Sequence, residues 1–156
     1  MKTRYVITIV ILALVAAFAG VVSMRVFDPI IGAPGGRLSG SEEARPPADW
    51  SAAAAISTVQ LETRPDDPYS VNVWGAGLGE YFYVATRAEG ATWSRFIDTN
   101  PDVRLRLGDT IYNLRAVRVD DDVEGERVLV AYASKYESDP ESMTANAGLI
   151  YRLEGR

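Results

Sequence analysis

Residues 92–119 read TWSRFIDTNPDVRLRLGDTIYNLRAVRV, and this stretch leaves few architectures open. A short amphipathic helix is expected at its start. Asn100-Pro101 stops that helix, because proline brings no N–H and its ring disfavours helical geometry in the residue before it. Val103, Leu105 and Leu107 then alternate with Arg104 and Arg106, the period of a strand with one buried face. Gly108-Asp109 turns the chain. Residues 110–119 return with Tyr112, Leu114 and Ala116 in phase and Val117 and Val119 out of phase, as a β-bulge would produce. So short a link permits only antiparallel pairing.

The same alternation recurs on both sides. Asp49 is placed to cap a short helix over residues 52–56, with Trp50 seating it on the domain. In residues 57–63, Val59 and Leu61 alternate with Thr58, Gln60 and Glu62, and Pro65-Asp66-Asp67-Pro68 then turns the chain. Residues 69–74 alternate again, residues 75–79 read as the close of a hairpin, and residues 80–86 are aromatic and β-branched. Further on, Asp121 and Glu124 have capping-box spacing, and Val128, Leu129, Tyr132 and Tyr136 share a helical face. Residues 138–148 read as a loop and residues 149–154 as the last strand. Six short strands with short links hide their edges best by curling into a closed or partly open barrel.

Two segments precede this domain. Residues 5–24 hold no charge, and twenty residues at about 1.5 Å each give a helix of roughly 30 Å, enough to span the hydrocarbon core. Ala17-Phe18-Ala19 also matches a signal cleavage site, but the apolar run continues past it, so residues 1–25 are expected to be an N-terminal membrane anchor, with a cleaved signal as the competing reading. Lys2 and Arg4 place the N-terminus in the cytoplasm, and either reading exports the C-terminal domain to the periplasm or beyond. Residues 26–48 contain eight Gly or Pro and read as a linker. The domain is then residues 49–156.

Composition excludes several chemistries. Residues 26–156 carry 13 of the 16 basic and all 21 acidic residues, a net charge of −8 that disfavours general nucleic-acid binding. The chain has neither cysteine nor histidine, which removes disulfides, thiolate nucleophiles, Ser-His-Asp triads and His-based metal sites together. Asp120-x-Asp122-x-Glu124-Gly125 imitates the start of a calcium loop, but position twelve is Ala131, and helix capping accounts for the acids. No metal site is expected.

Trp93, Asn100, Pro101, Val103 and Gly108, followed by Arg115-Ala116 and a Tyr-rich helix, resemble the split β-barrel proteins of the deazaflavin-dependent nitroreductase group, relatives of the pyridoxamine-phosphate-oxidase-like flavoproteins. VNVW at residues 71–74 and YVATR at residues 83–87 look like the two strands before that helix. The resemblance implies a mainly β fold, a six-stranded split β-barrel with two or three short helices. It implies FMN or a deazaflavin as cofactor and a homodimer with the site at the subunit boundary. Carried onto this chain, the cofactor's phosphate or acidic tail falls to Thr86, Arg87, Trp93, Ser94 and Arg95, while Asn72 and Trp74 line a flat ring site. Guanidinium forks and the unpaired N–H groups of a helix start suit such a tail chemically.

Two functions follow. The first is a membrane-tethered protein that binds a flavin or deazaflavin and reduces a small oxidised substrate. The second is a non-enzymatic exported barrel that binds a small ligand or a partner. Where the family usually reads Trp-x-x-Asn-Leu, this chain has Trp93-Ser94-Arg95-Phe96-Ile97, so a phenyl group replaces an amide and favours the second. Arg87 and Arg95 also have a plain alternative, solvation or pairing with Glu89 and Asp98. The stripe Arg104, Arg106, Arg115 and Arg118 is expected to be a solvated strand face. No tyrosine can be named catalytic.

Overall fold

Alternation of apolar and polar side chains yields one mainly antiparallel sheet. Its strands are β1 (Ser41–Glu43), β2 (Val59–Thr63), β3 (Tyr69–Val73), β4 (Gly75–Leu78), β5 (Tyr81–Arg87), β6 (Asp102–Leu107), β7 (Thr110–Arg118) and β8 (Ala147–Gly155). A 3-10 helix (Ser51–Ala55) precedes β2, and α1 (Thr92–Thr99), α2 (Asp122–Lys135) and α3 (Pro140–Asn146) complete the order. This is a computed structural model describing residues 10, 11 and 28–156. Except for Val10 and Ile11, the segment expected to span a membrane lies outside the described residues, among which no helix is long and apolar enough to cross one.

The pairing order is β3-β2-β6-β7-β8-β5-β4. Its two ends are consecutive in the chain and separated only by Trp74, so one run bent at Trp74 pairs with β2 on one side and with β5 on the other. Counted as a single stave, β3 and β4 reduce the eight strands to seven, the six expected and β1. Residues 75–78, read in the sequence as the close of a hairpin, are instead a strand, and the glycines explain it. A Cβ on Gly75 would lie 2.7 Å from Phe82 Cζ, and one on Gly77 would lie 2.6 Å from Trp50 Cβ. The true β4–β5 turn is Gly79-Glu80. Like the β6–β7 turn, it puts a glycine with φ near +60° in the first central place, where left-handed backbone suits only glycine well.

Strand parity sorts the side chains into two cores. Val59, Leu61, Phe82, Val84, Val103, Leu105, Leu114, Tyr151 and Leu153 fill the interior, where Trp50 packs on Phe82 and Tyr112 at ring separations of 5.4 and 5.0 Å. The neighbours Tyr83 and Ile150 face outward and are buried under Val128 and Tyr132 of α2. No bulge interrupts β7. Its register against both β6 and β8 is continuous, and the only break in the pairing of β5 with β8 lies between Ala85 and Arg87.

Residues 28–43, within the stretch read as a linker, carry tertiary contacts. They pack on the outer face of β2, β6 and β7: β1 pairs in parallel with β7, and Leu38 is buried. Arg104, expected in solvent, donates to Glu62 Oε2 and Glu42 Oε1 at 2.7 Å each and to the Leu38 carbonyl at 3.1 Å. Arg106 reaches Asp28 and the Ser39 carbonyl at 2.7 Å. These two arginines therefore hold the N-terminal segment down. Only Arg115 and Arg118 keep exposed positions, beside Asp102 and Asp120. Residues 138–148 are corrected, because Asp139 caps Ser142 N at 2.8 Å and Pro140 takes the first helical place of α3.

Candidate functional site

The bulge in β5 re-aims the end of that strand. At the bulge Thr86 is buried, and its Oγ1 accepts the Leu149 N–H at 2.8 Å. Arg87 follows with its side chain in solvent. The chain then turns, with Gly90 N–H donating to the Arg87 carbonyl at 2.8 Å, and enters α1. No side chain caps α1. Its cap position is Ala91, its first turn holds no acid, and Ser94 Oγ donates to the Ala91 carbonyl at 2.8 Å. The first-turn N–H groups are therefore left without side-chain acceptors, at the positive end of the helix.

Beside this start lies a cavity of about 430 Å³. Asn72 and Trp74 wall it from the bent stave, Thr86 and Arg87 from β5, Trp93 from α1, Leu129 and Tyr132 from α2, and Met143 and Asn146 from α3. Trp74 is 52% exposed and stacks on Tyr136 with centroids 4.4 Å apart and planes 13° off parallel. One indole face is thus covered, while the residue stays half-exposed. Trp93 is anchored in the core, edge-on to Tyr151 at 5.7 Å.

The corner that presents Trp74 is fixed by α2. Tyr132 Oη donates to the carbonyls of Trp74 and Tyr83, each at 3.1 Å. Lys135 Nζ donates to the carbonyls of Gly75 at 2.6 Å and Ala53 at 3.0 Å, and Tyr136 Oη accepts from Gly75 N–H at 2.9 Å. Burial drives the Tyr132 phenol well above its ordinary value, with Tyr136 adding to the shift, and burial lowers the Lys135 ammonium. Tyr132 thus holds its proton and serves as a brace.

Of the seven residues expected at the site, the structure brings Asn72, Trp74, Thr86, Arg87 and Trp93 to one cavity. Ser94 is buried beneath α1 and Arg95 is exposed outside the lining. The Asn72 amide is engaged, donating to the Pro29 carbonyl at 3.0 Å. Neither Arg87 nor Arg95 pairs with a carboxylate among the described residues, so the pairs weighed with Glu89 and Asp98 do not form. Phe96 lies outside the cavity, edge-on to Tyr69 at 5.2 Å and 4.3 Å beneath the Arg64 guanidinium. The acids of the calcium-like run serve the scaffold: Asp121 caps Glu124 N at 2.7 Å, and Glu124 binds Arg152 at 2.8 Å and the Tyr83 hydroxyl at 2.9 Å. The walls from α2 and α3 were not anticipated. Asp139-Pro140, a cap followed by an N1 proline, was the signal for α3.

No family model matches this chain, and no curated protein matches it. Among solved structures it is similar to the crystal structure of the conserved hypothetical protein Rv2991 from Mycobacterium tuberculosis, with 19% identity over 67% of this chain and 76% of that one and a TM-score of 0.55. At that identity the likeness shows the barrel-like β fold alone.

Proposed function

We propose that this chain is a membrane-tethered, exported split-barrel protein that binds FMN or a deazaflavin in the cavity beside α1 and reduces a small oxidised substrate there. The observation that carries this reading is the meeting, in one cavity of about 430 Å³, of a half-exposed indole, an unpaired guanidinium and an uncapped helix start. The residues fit the group. Arg87 and the first-turn N–H donors of α1 suit its phosphate or acidic tail, with the Thr86 hydroxyl beside them. Trp74 suits the ring, and Leu129 and Met143 exclude water. When bound, the cofactor would supply hydride, and the protein's part is anchoring and orientation. A homodimer would complete the open side of the cavity. The second reading, a barrel binding a small ligand without redox chemistry, is favoured by Phe96 and by the engaged Asn72 amide.

Titrating the detergent-solubilised full chain with FMN and with a deazaflavin, followed by fluorescence, separates the two readings. Saturable binding that Arg87→Ala weakens by about 1.5–3 kcal/mol, roughly 10- to 150-fold, supports the first. Absence of saturable binding by either cofactor leaves the second.

A further inference from the structure

The N-terminal segment carries a feature that the cavity does not use. Residues 29–36, PIIGAPGG, hold no charge. Ile30 to Ala33 form a type II turn: Ala33 N–H donates to the Ile30 carbonyl at 3.1 Å, and Gly32 in the third place has φ +83°. Both stems of this turn are fixed to β3. Asn72 Nδ2 donates to the Pro29 carbonyl at 3.0 Å, and Gly35 and Ser70 exchange both backbone hydrogen bonds at 2.8 and 3.0 Å. Asp28, just before the turn, is paired with Arg106 at 2.7 Å. The tip is therefore rigid, uncharged and apolar, with Ile31 98% exposed and Ile30 69% exposed. A loose loop could fold such side chains back onto the barrel. A turn pinned on both sides holds them out.

The chain leading into the turn points to what covers it. Residues 5–24 are uncharged, and only five residues separate Met24 from Ile30. Even fully extended, that connection spans about 20 Å. On the proposed reading that residues 5–24 cross the bilayer, the turn is confined near a surface whose interfacial layer is roughly 5–7 Å deep. Confinement makes insertion an intramolecular event, so two isoleucines suffice where they would not recruit a free protein. We infer that the residue 30–33 turn seats Ile30 and Ile31 in the lipid headgroup boundary, docking the barrel on the bilayer. Because Asn72 both holds the turn and lines the cavity, this docking puts the cavity mouth beside the lipid surface.

This inference rests on the membrane-tether reading, and one experiment tests them separately. The chain has no cysteine, so Ile31→Cys gives a single labelling site in the full chain, and Arg115→Cys, on exposed β7 three strands around the sheet, gives the aqueous reference. Each is labelled with an environment-sensitive fluorophore, reconstituted into phosphatidylcholine vesicles, and quenched by aqueous iodide or by nitroxide-bearing acyl chains. The label at 31 should be at least fivefold less accessible to iodide than the label at 115 and should respond to the lipid-borne quencher. Adding Ile30→Asp should restore iodide access. Vesicle flotation with an iodide-accessible label at 31 overturns the docking while leaving the tether intact. Failure of the full chain to float overturns the tether, and the docking with it.

Discussion

Arg104 gives the sharpest test of how the N-terminal segment is held. Its side chain is 9% exposed, and its main partner Glu62 is 1% exposed. Replacing Arg104 with methionine keeps the aliphatic stem and removes the guanidinium. Glu62 then stays buried with one hydrogen-bond donor, the Leu38 N–H at 2.6 Å, and a long ion pair to the exposed Arg37 at 3.9 Å, while the Leu38 carbonyl loses its side-chain donor and Glu42 keeps only Asn113 at 3.4 Å. Breaking one side of a buried pair costs about 3–5 kcal/mol, because the other charge stays desolvated. At roughly 3–4 °C per kcal/mol for a domain of this size, the melting temperature should fall by about 9–20 °C. Arg115→Met is the control: its 3.5 Å contact with Asp102 is solvent-exposed, and such pairs contribute under about 1 kcal/mol. Adding Glu62→Leu to Arg104→Met should recover part of the loss, leaving about 1–3 kcal/mol for the stranded Leu38 N–H. Near-ultraviolet circular dichroism on the detergent-solubilised chain reads all four proteins, and trypsin cleavage after Arg37 should accelerate in Arg104→Met. If Arg104→Met melts as Arg115→Met does, or if the double variant is worse than the single, the buried-pin account is wrong.

Two further outcomes follow from the geometry. A Cβ on Gly148 would press on the Arg87 carbonyl oxygen and Thr86 Oγ1 and sit 2.7 Å from the Arg87 carbonyl carbon. Gly148→Ala should thus cost about 1–3 kcal/mol by overpacking and weaken cofactor binding at the same bulge; a normal melt with normal affinity would show that the bulge does not shape the site. Burial raises the phenols of Tyr83, Tyr132, Tyr136 and Tyr151, so the folded state keeps protons that the unfolded chain releases above pH 10. Their contribution is full below pH 10 and is lost as pH rises beyond it. Lys135, lowered by burial, acts the opposite way between its lowered value and 10.5, but one lysine is set against these four phenols and against Tyr81 and Tyr112, which are raised as well. Tyr132→Phe should flatten the alkaline decline of stability by up to about 1.4 kcal/mol per pH unit, and an unchanged slope would mean the phenol titrates in the folded state as it does in water.

What the sequence disclosed and what it withheld have one physical cause. Alternation along a strand is local, so the strands other than β1 and β4, the Asn100-Pro101 stop and inward residues such as Val59, Leu61, Val103, Leu105 and Leu114 could be read directly. Period two separates a strand's faces, but it does not say what lies against the second one. Arg104 and Arg106 alternate with buried residues and read as solvated, because their partners Glu42, Glu62 and Asp28 lie 42 to 78 residues away. Val117 and Val119 read as out of phase after a bulge, whereas the register is unbroken and Ile111, of the same parity, is buried on the outer face against the segment that holds Gly40. The site divides along the same line. Trp74, Thr86, Arg87 and Trp93 belong to adjoining strand and helix ends and were found from short motifs, whereas Leu129, Met143 and Asn146 reach the cavity only through the docking of α2 and α3. An apolar or charged residue on the wrong face of an otherwise regular strand is thus better read as a sign of a covering segment than as an irregularity. In this chain Arg104, Arg106 and Ile111 together signal a covering segment, and the structure supplies it from residues 28–43.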